Sequence, residues 1–162
     1  MAVLSEGSRM KRIQGVRTLA RMVLGLCAMV LASPVLAEAP VQAGYVLVVS
    51  GKVKAIDRDG KTRELTRRAP VYSGDRLMTA TRANAQVKFS DGAIVALKPS
   101  TELRVDDYAY EEGGLQKAFM SLVKGGFRTV TGAIGKTSKS DYRVTTPVAT
   151  IGIRGTLYEA DF

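Results

Sequence analysis

Ser121-Leu122-Val123-Lys124 sets a hydroxyl three residues ahead of a lysine, the spacing at which an amine can activate a serine for acyl transfer. Ser90-Asp91-Gly92 and Lys136-Thr137-Ser138 echo the motifs that accompany it in penicillin-recognising enzymes. Their order along the chain is wrong, and the third lacks its glycine. Residues three apart share a face only on a helix, and this segment reads as a strand. Gly135-Lys136-Thr137 ends as a phosphate-binding loop ends, but the position five before Gly135 is Val130 rather than the required glycine. Asp57/Asp59, Asp106-Asp107 and Glu111-Glu112 are paired carboxylates beside turns, where acids serve solvation and turn formation. A glycosidase-type acid and base would need two carboxyls converging in a cleft. The chain has no His and one Cys, which excludes imidazole bases, His or thiolate zinc cages and an internal disulfide. No catalytic residue, cofactor site or metal site is expected, and the chain is expected not to be an enzyme.

The elements that carry these residues follow a segment of a different kind. Arg9, Lys11, Arg12, Arg17 and Arg21 precede an apolar run from Met22 to Leu36, and Val35-Leu36-Ala37 has the compact residues of a signal-peptidase site. Residues 1–37 are therefore expected to be a signal peptide, and Met10 would open a more typical one. The run of about 15 apolar residues is short of the roughly 20 that a spanning helix needs, so contact with the membrane is expected only if the segment stays uncleaved. Leu24-Gly25-Leu26-Cys27 resembles a lipoprotein box, but Leu26 stands where a small residue is required. Without the signal, 19 basic and 14 acidic residues remain over 125 positions. They are scattered, with no basic stripe of the kind that binds nucleic acid.

Residues 38–44 read as a linker and 45–162 as one all-β domain. Its short strands are joined by tight Gly/Asp turns, in a sandwich-like or β-solenoid-like wrap. Ala85, Val87 and Phe89 alternate with Asn84, Gln86 and Lys88, the pattern of a half-buried strand. Ser90-Asp91-Gly92-Ala93 then turns the chain. A two-residue turn would set Phe89 opposite Ile94, whereas a shifted register would bury Val95 and Leu97; the second is preferred because Leu97 is the larger loss if exposed. Leu115 to Val123 fits strand or helix, and the Gly125-Gly126 break together with the flanking strands favours strand. Gly132 to Ser140 reads as a polar loop. Tyr142, Val144, Thr146 and Val148 alternate again, and Ile151, Ile153, Leu157 and Phe162 are expected to complete the core.

Four segments together carry a family resemblance: Gly74-Asp75-Arg76-Leu77-Met78-Thr79, Phe89-Ser90-Asp91-Gly92, Lys124-Gly125-Gly126-Phe127-Arg128, and Thr145-Thr146-Pro147-Val148-Ala149-Thr150-Ile151-Gly152-Ile153-Arg154-Gly155-Thr156. In this order, from about Tyr45 to Thr156, they resemble the FecR domain, the extracytoplasmic domain of iron-dicitrate sensor and regulator proteins. The resemblance implies an all-β periplasmic module that senses or transmits state without catalysis. Relatives that control sigma factors carry a cytoplasmic helical segment ahead of one membrane span. The 21 residues before the apolar run are too few for it, so a stand-alone exported version is expected.

Within these motifs, Gly74 and Gly92 suit positive φ at turns, and Gly152 and Gly155 flank Arg154 so that backbone can approach closely. Arg154 lies among apolar neighbours and is expected to be partly buried, paired with Asp75 first or Asp91 second. The alternative is that it grips an anionic ligand or a partner segment. The function expected is a non-enzymatic binding or signalling module in a Gram-negative cell envelope, periplasmic or secreted, with an unidentified protein partner and no nucleic acid. The second reading is a structural envelope protein held near anionic cell-surface polymers.

Overall fold

Period-two alternation of apolar side chains builds most of the chain. The computed structural model describes residues 39–151 and 157–161. The signal segment and the expected roles of Gly152, Ile153, Arg154, Gly155, Thr156 and Phe162 lie outside the described residues.

The first half of the domain comprises β1 (Gln42–Ser50), β2 (Val53–Ile56), β3 (Thr62–Glu64), β4 (Pro70–Tyr72), β5 (Arg76–Thr79), β6 (Asn84–Phe89) and β7 (Ile94–Leu97). The second half comprises β8 (Glu102–Tyr110), β9 (Gln116–Lys124), β10 (Gly126–Val130), the one-turn helix α1 (Ala133–Thr137), β11 (Tyr142–Thr145), β12 (Thr150–Ile151) and β13 (Leu157–Asp161). They form a six-stranded sheet, β13-β10-β7-β6-β1-β4, and a seven-stranded sheet, β12-β11-β9-β8-β5-β2-β3. Inward residues of both sheets make one core, so of the two wraps expected the sandwich-like one is observed. Among the described pairings only β11 with β9 is parallel.

The β6–β7 hairpin shows how turn chemistry sets register. Phe89 N–H donates to Ala93 O at 2.8 Å, and Gly92 N–H to Phe89 O at 3.0 Å. Ser90-Asp91-Gly92 is therefore a three-residue loop, with Gly92 at φ +84° in the left-handed position that such loops require. The extra residue pairs Val87 with Val95 and Ala85 with Leu97. This is the shifted register, and it buries Val95 and Leu97.

Several boundaries differ from the sequence expectation. β1 opens at Gln42, ahead of Tyr45, because Ala43 is buried and Gly44 lies against the backbone of Lys88 and Phe89, where a Cβ would overlap. The segment from Gly132 to Ser140 is not simply a polar loop: it contains α1, whose Ile134 is buried in the core. β11 stops at Thr145, so Val148 is 80% exposed rather than inward. Leu157 is 61% exposed, outward on β13 and opposite exposed Val130. The segment from Gln116 to Lys124 is a strand, as preferred, with Ala118, Met120 and Leu122 inward.

Candidate functional site

The motif acids sit under the sandwich surface and are fully engaged by the chain itself. The turn before β5 carries Gly74 at φ +94° and delivers Asp75, which is 1% exposed. Arg63 of β3 grips its carboxylate bidentately, with Nη1 donating to Oδ1 at 3.1 Å and Nη2 to Oδ2. Tyr72 N–H also donates to Oδ2 at 2.6 Å, and Arg63 Nη2 donates to Pro70 O at 3.2 Å. The guanidinium lies 5.1 Å from the Tyr72 ring centroid, within cation–π range. Among the described residues the cation on Asp75 is Arg63, which lies in a short polar strand with no periodic signal. The pairing expected of Arg154 falls outside the described residues.

Asp91 knits three elements together. Its Oδ1 accepts from Ala93 N–H at 2.9 Å and from the Tyr108 hydroxyl at 2.6 Å, and its Oδ2 accepts from Ile134 N–H at 3.3 Å. Ala133 N–H donates to the Asp91 carbonyl at 2.9 Å. The hairpin turn, β8 and the start of α1 thus share one carboxylate. Tyr108 reaches it through a bulge. Leu103 and Val105 of β8 point inward, and a register shift between Val105 and Asp107 moves the inward parity to Tyr108. The Tyr108 ring stacks on Phe89 with centroids 4.4 Å apart.

A hydroxyl pair also joins the two sheets. Tyr142 of β11 and Tyr158 of β13 meet oxygen to oxygen at 2.5 Å, and Phe127 packs edge-on against Tyr158. Burial pushes the Tyr142 phenol up to about 12, and burial followed by the neighbouring Tyr142 raises Tyr158. Burial, reinforced by the Asp91 charge and hydrogen bond, raises Tyr108 further. Each of these phenols therefore stays protonated and able to donate at any physiological pH.

The remaining motif residues close turns. Thr146 N–H donates to Ala149 O at 2.7 Å, and Ala149 N–H donates to Thr146 Oγ1 at 3.0 Å. Thr146-Pro147-Val148-Ala149 is therefore the tight turn of the β11–β12 hairpin, with Pro147 in the position its fixed φ favours. The segments weighed for catalysis are not assembled. Ser121 Oγ donates to Asp106, and Lys124 is exposed at the end of β9. Asp106 is bound by Arg104, and Asp107 by Lys117. Thr137 Oγ1 donates to Ala133 O inside α1 at 2.9 Å. Among the described residues no group of three or more acidic or Cys side chains could hold a metal ion.

On the outer face of the seven-stranded sheet, Arg58, Arg76 and Arg104 line a pocket of about 370 Å³, with Ile56, Asp57, Gly60 and Gly74. Arg76 and Arg104 are directly opposite each other in the β5–β8 pairing. The Arg58 stem crosses Gly74 where a Cβ would stand, and Arg58 Nη2 donates to Ser73 Oγ at 3.4 Å.

Residues 75–161, just over half of the chain, match the family described as FecR protein. The chain belongs to the FecR family. The match opens on Asp75 and takes in Asp91, Tyr108, Tyr142 and Tyr158, whereas Arg63 and Tyr72, the partners of Asp75, precede it. β1 to β4 precede it, yet β1 pairs with β6 in the same sheet. No curated protein matches the chain. A solved structure described as a cell surface anchoring domain is similar to 38% of this chain and 80% of its own, at 21% identity and a TM-score of 0.37.

Proposed function

We propose that this FecR-family chain is an exported, non-enzymatic binding or signalling domain of the Gram-negative cell envelope, working in the periplasm or outside the cell. The FecR match carries the proposal. The Arg-rich and then apolar N-terminal segment ending at Ala37 supports export. The chemistry of the interior points the same way: Asp75 and Asp91 are buried, and each carboxylate accepts three structural hydrogen bonds rather than facing a cleft. Contact with a protein partner would use a sheet edge, the cheapest recognition mode for a β domain. Of the four outer strands among the described residues, β13 is the longest at five residues, whereas β4 starts with a proline that blunts it.

Cell fractionation with N-terminal sequencing of the recovered protein tests the proposal. The expected product starts at Glu38 and appears in the periplasm or medium, and a cytoplasmic protein with its first residues intact would overturn it. A photo-crosslinker at Leu157, beside the β13 edge, is expected to trap a partner that one at Thr62 on the short β3 does not.

A further inference from the structure

Directly opposed like charges on neighbouring strands destabilise a sheet unless something neutralises them. Arg76 and Arg104 are so opposed, with side chains 48% and 50% exposed. Each has one flanking carboxylate, Glu102 at 3.4 Å from Arg76 and Asp106 at 2.5 Å from Arg104. A third cation, Arg58, is brought to the same pocket from the β2–β3 turn. Among the described residues no carboxylate stands within ion-pairing distance of it. Its position is constructed: Gly74 leaves the space its stem occupies, and Ser73 Oγ holds its guanidinium. The one acid on the pocket wall, Asp57, is already used, because its Oδ1 accepts from Asp59 N–H at 3.0 Å and Lys61 N–H at 2.8 Å. Three guanidinium forks thus line one hollow, and of the three only Arg58 has no carboxylate partner among the described residues.

We propose that this pocket binds a phosphate group. A guanidinium offers paired N–H donors, and a tetrahedral dianion presents oxygens in enough directions for three such forks, whereas a carboxylate has only two oxygens in one plane. The inference names a ligand class for the binding role proposed above and rests on that role for its biological setting, but the site itself can be tested on purified protein wherever the chain resides.

The experiment is thermal unfolding of the purified protein against inorganic phosphate at constant ionic strength, with chloride as the balancing anion. The expected result is a saturable rise in melting temperature. The double variant Arg76→Gln/Arg104→Gln is expected to need at least tenfold more phosphate for the same rise, measured from its own melting temperature without phosphate, since it also loses the ion pairs to Glu102 and Asp106. Lys52→Gln/Lys54→Gln removes the same charge from the protein outside this pocket and is expected to leave the phosphate response unchanged. Absence of saturation in the parent, or an equal loss in both double variants, would overturn the proposal. Competition by phosphatidic acid vesicles would place the phosphate on a lipid, and competition by a soluble sugar phosphate alone would place it on a free metabolite or glycan end. Failure of this titration leaves the fractionation result standing, and the reverse also holds.

Discussion

Raising the pH should unfold this domain through its buried phenols. Tyr108 and Tyr142 are 0% and 2% exposed, and both are held protonated by burial, Tyr142 up to about 12. In the unfolded chain the same groups ionise near 10. A phenol whose folded pKa lies above its unfolded value holds its proton longer in the native state. Its contribution is therefore complete below pH 10 and is lost as the pH climbs toward the folded value. At about pH 11 each phenol favours the unfolded state by about 1.4 kcal/mol, so the two together remove about 3 kcal/mol. That is a large share of the roughly 5–15 kcal/mol that holds a domain folded. Tyr158, raised by burial and by the neighbouring Tyr142, adds to this loss. The assay is urea unfolding of the parent, Tyr142→Phe and Tyr108→Phe at several values between about pH 9 and about pH 11, where the phenol titration falls. Each Phe variant should show a shallower loss, by about 1.4 kcal/mol per pH unit in the upper part of this range. Absolute stabilities will differ, since Tyr108→Phe removes a hydrogen bond, but the slope is the readout. Parallel profiles for parent and variants would refute the assignment of these phenols as buried donors.

Asp91→Ala should cost about 2–4 kcal/mol in denaturant unfolding, because Tyr108, Ala93 and Ile134 all lose their acceptor, and Asp91→Asn should recover part of it. Arg63→Met should cost about 3 kcal/mol by leaving the Asp75 charge buried and unpaired, with Asp75→Asn in the same chain restoring some of the loss. Gly44→Ala should lower stability by about 1–3 kcal/mol, because the new Cβ meets the β6 backbone at Lys88 and Phe89, which cannot rotate away. Substituting Val148 by Ser, by contrast, should leave the melting temperature unchanged, since that side chain is 80% exposed at a turn tip.

What could be read from the amino acids alone was whatever local pattern decides. Ala85, Val87 and Phe89 announce β6, and the bulk of Leu97 was enough to choose its pairing with β7. Gly74 and Gly92 declare their turns because only glycine adopts those φ values without strain. The candidate site was half legible. Asp75 and Asp91 were picked out by motif, but their partners were not, because each partner depends on an event without a local signature. Tyr108 faces inward only because a bulge reverses the strand parity after Val105. Arg63 sits in a strand too short to show alternation. Ile134 lies in a stretch whose Gly, Ser, Thr and Lys content mimics a solvated loop, and tertiary burial overrides that composition. Val148 fits the alternation of β11, yet Pro147 ends the strand before the pattern can continue. The opposition of Arg76 and Arg104 appears only once β5 and β8 are paired.

The order in which the strands visit the two sheets has a consequence for how the molecule comes into being. β1 lies in one sheet, β2 and β3 in the other, β4 returns, and the exchange continues to β13, which docks on β10 at the far border of the first sheet. Neither layer is a contiguous stretch of chain, so neither can mature alone while the rest is still arriving. Closing such distant pairings is slow compared with winding a helix. A polypeptide that emerges amino end first must therefore wait, with apolar strands uncovered, until its last residues are through. Such a chain would depend on escort by a holdase during that interval, and truncation near the carboxyl end would be felt by the whole assembly.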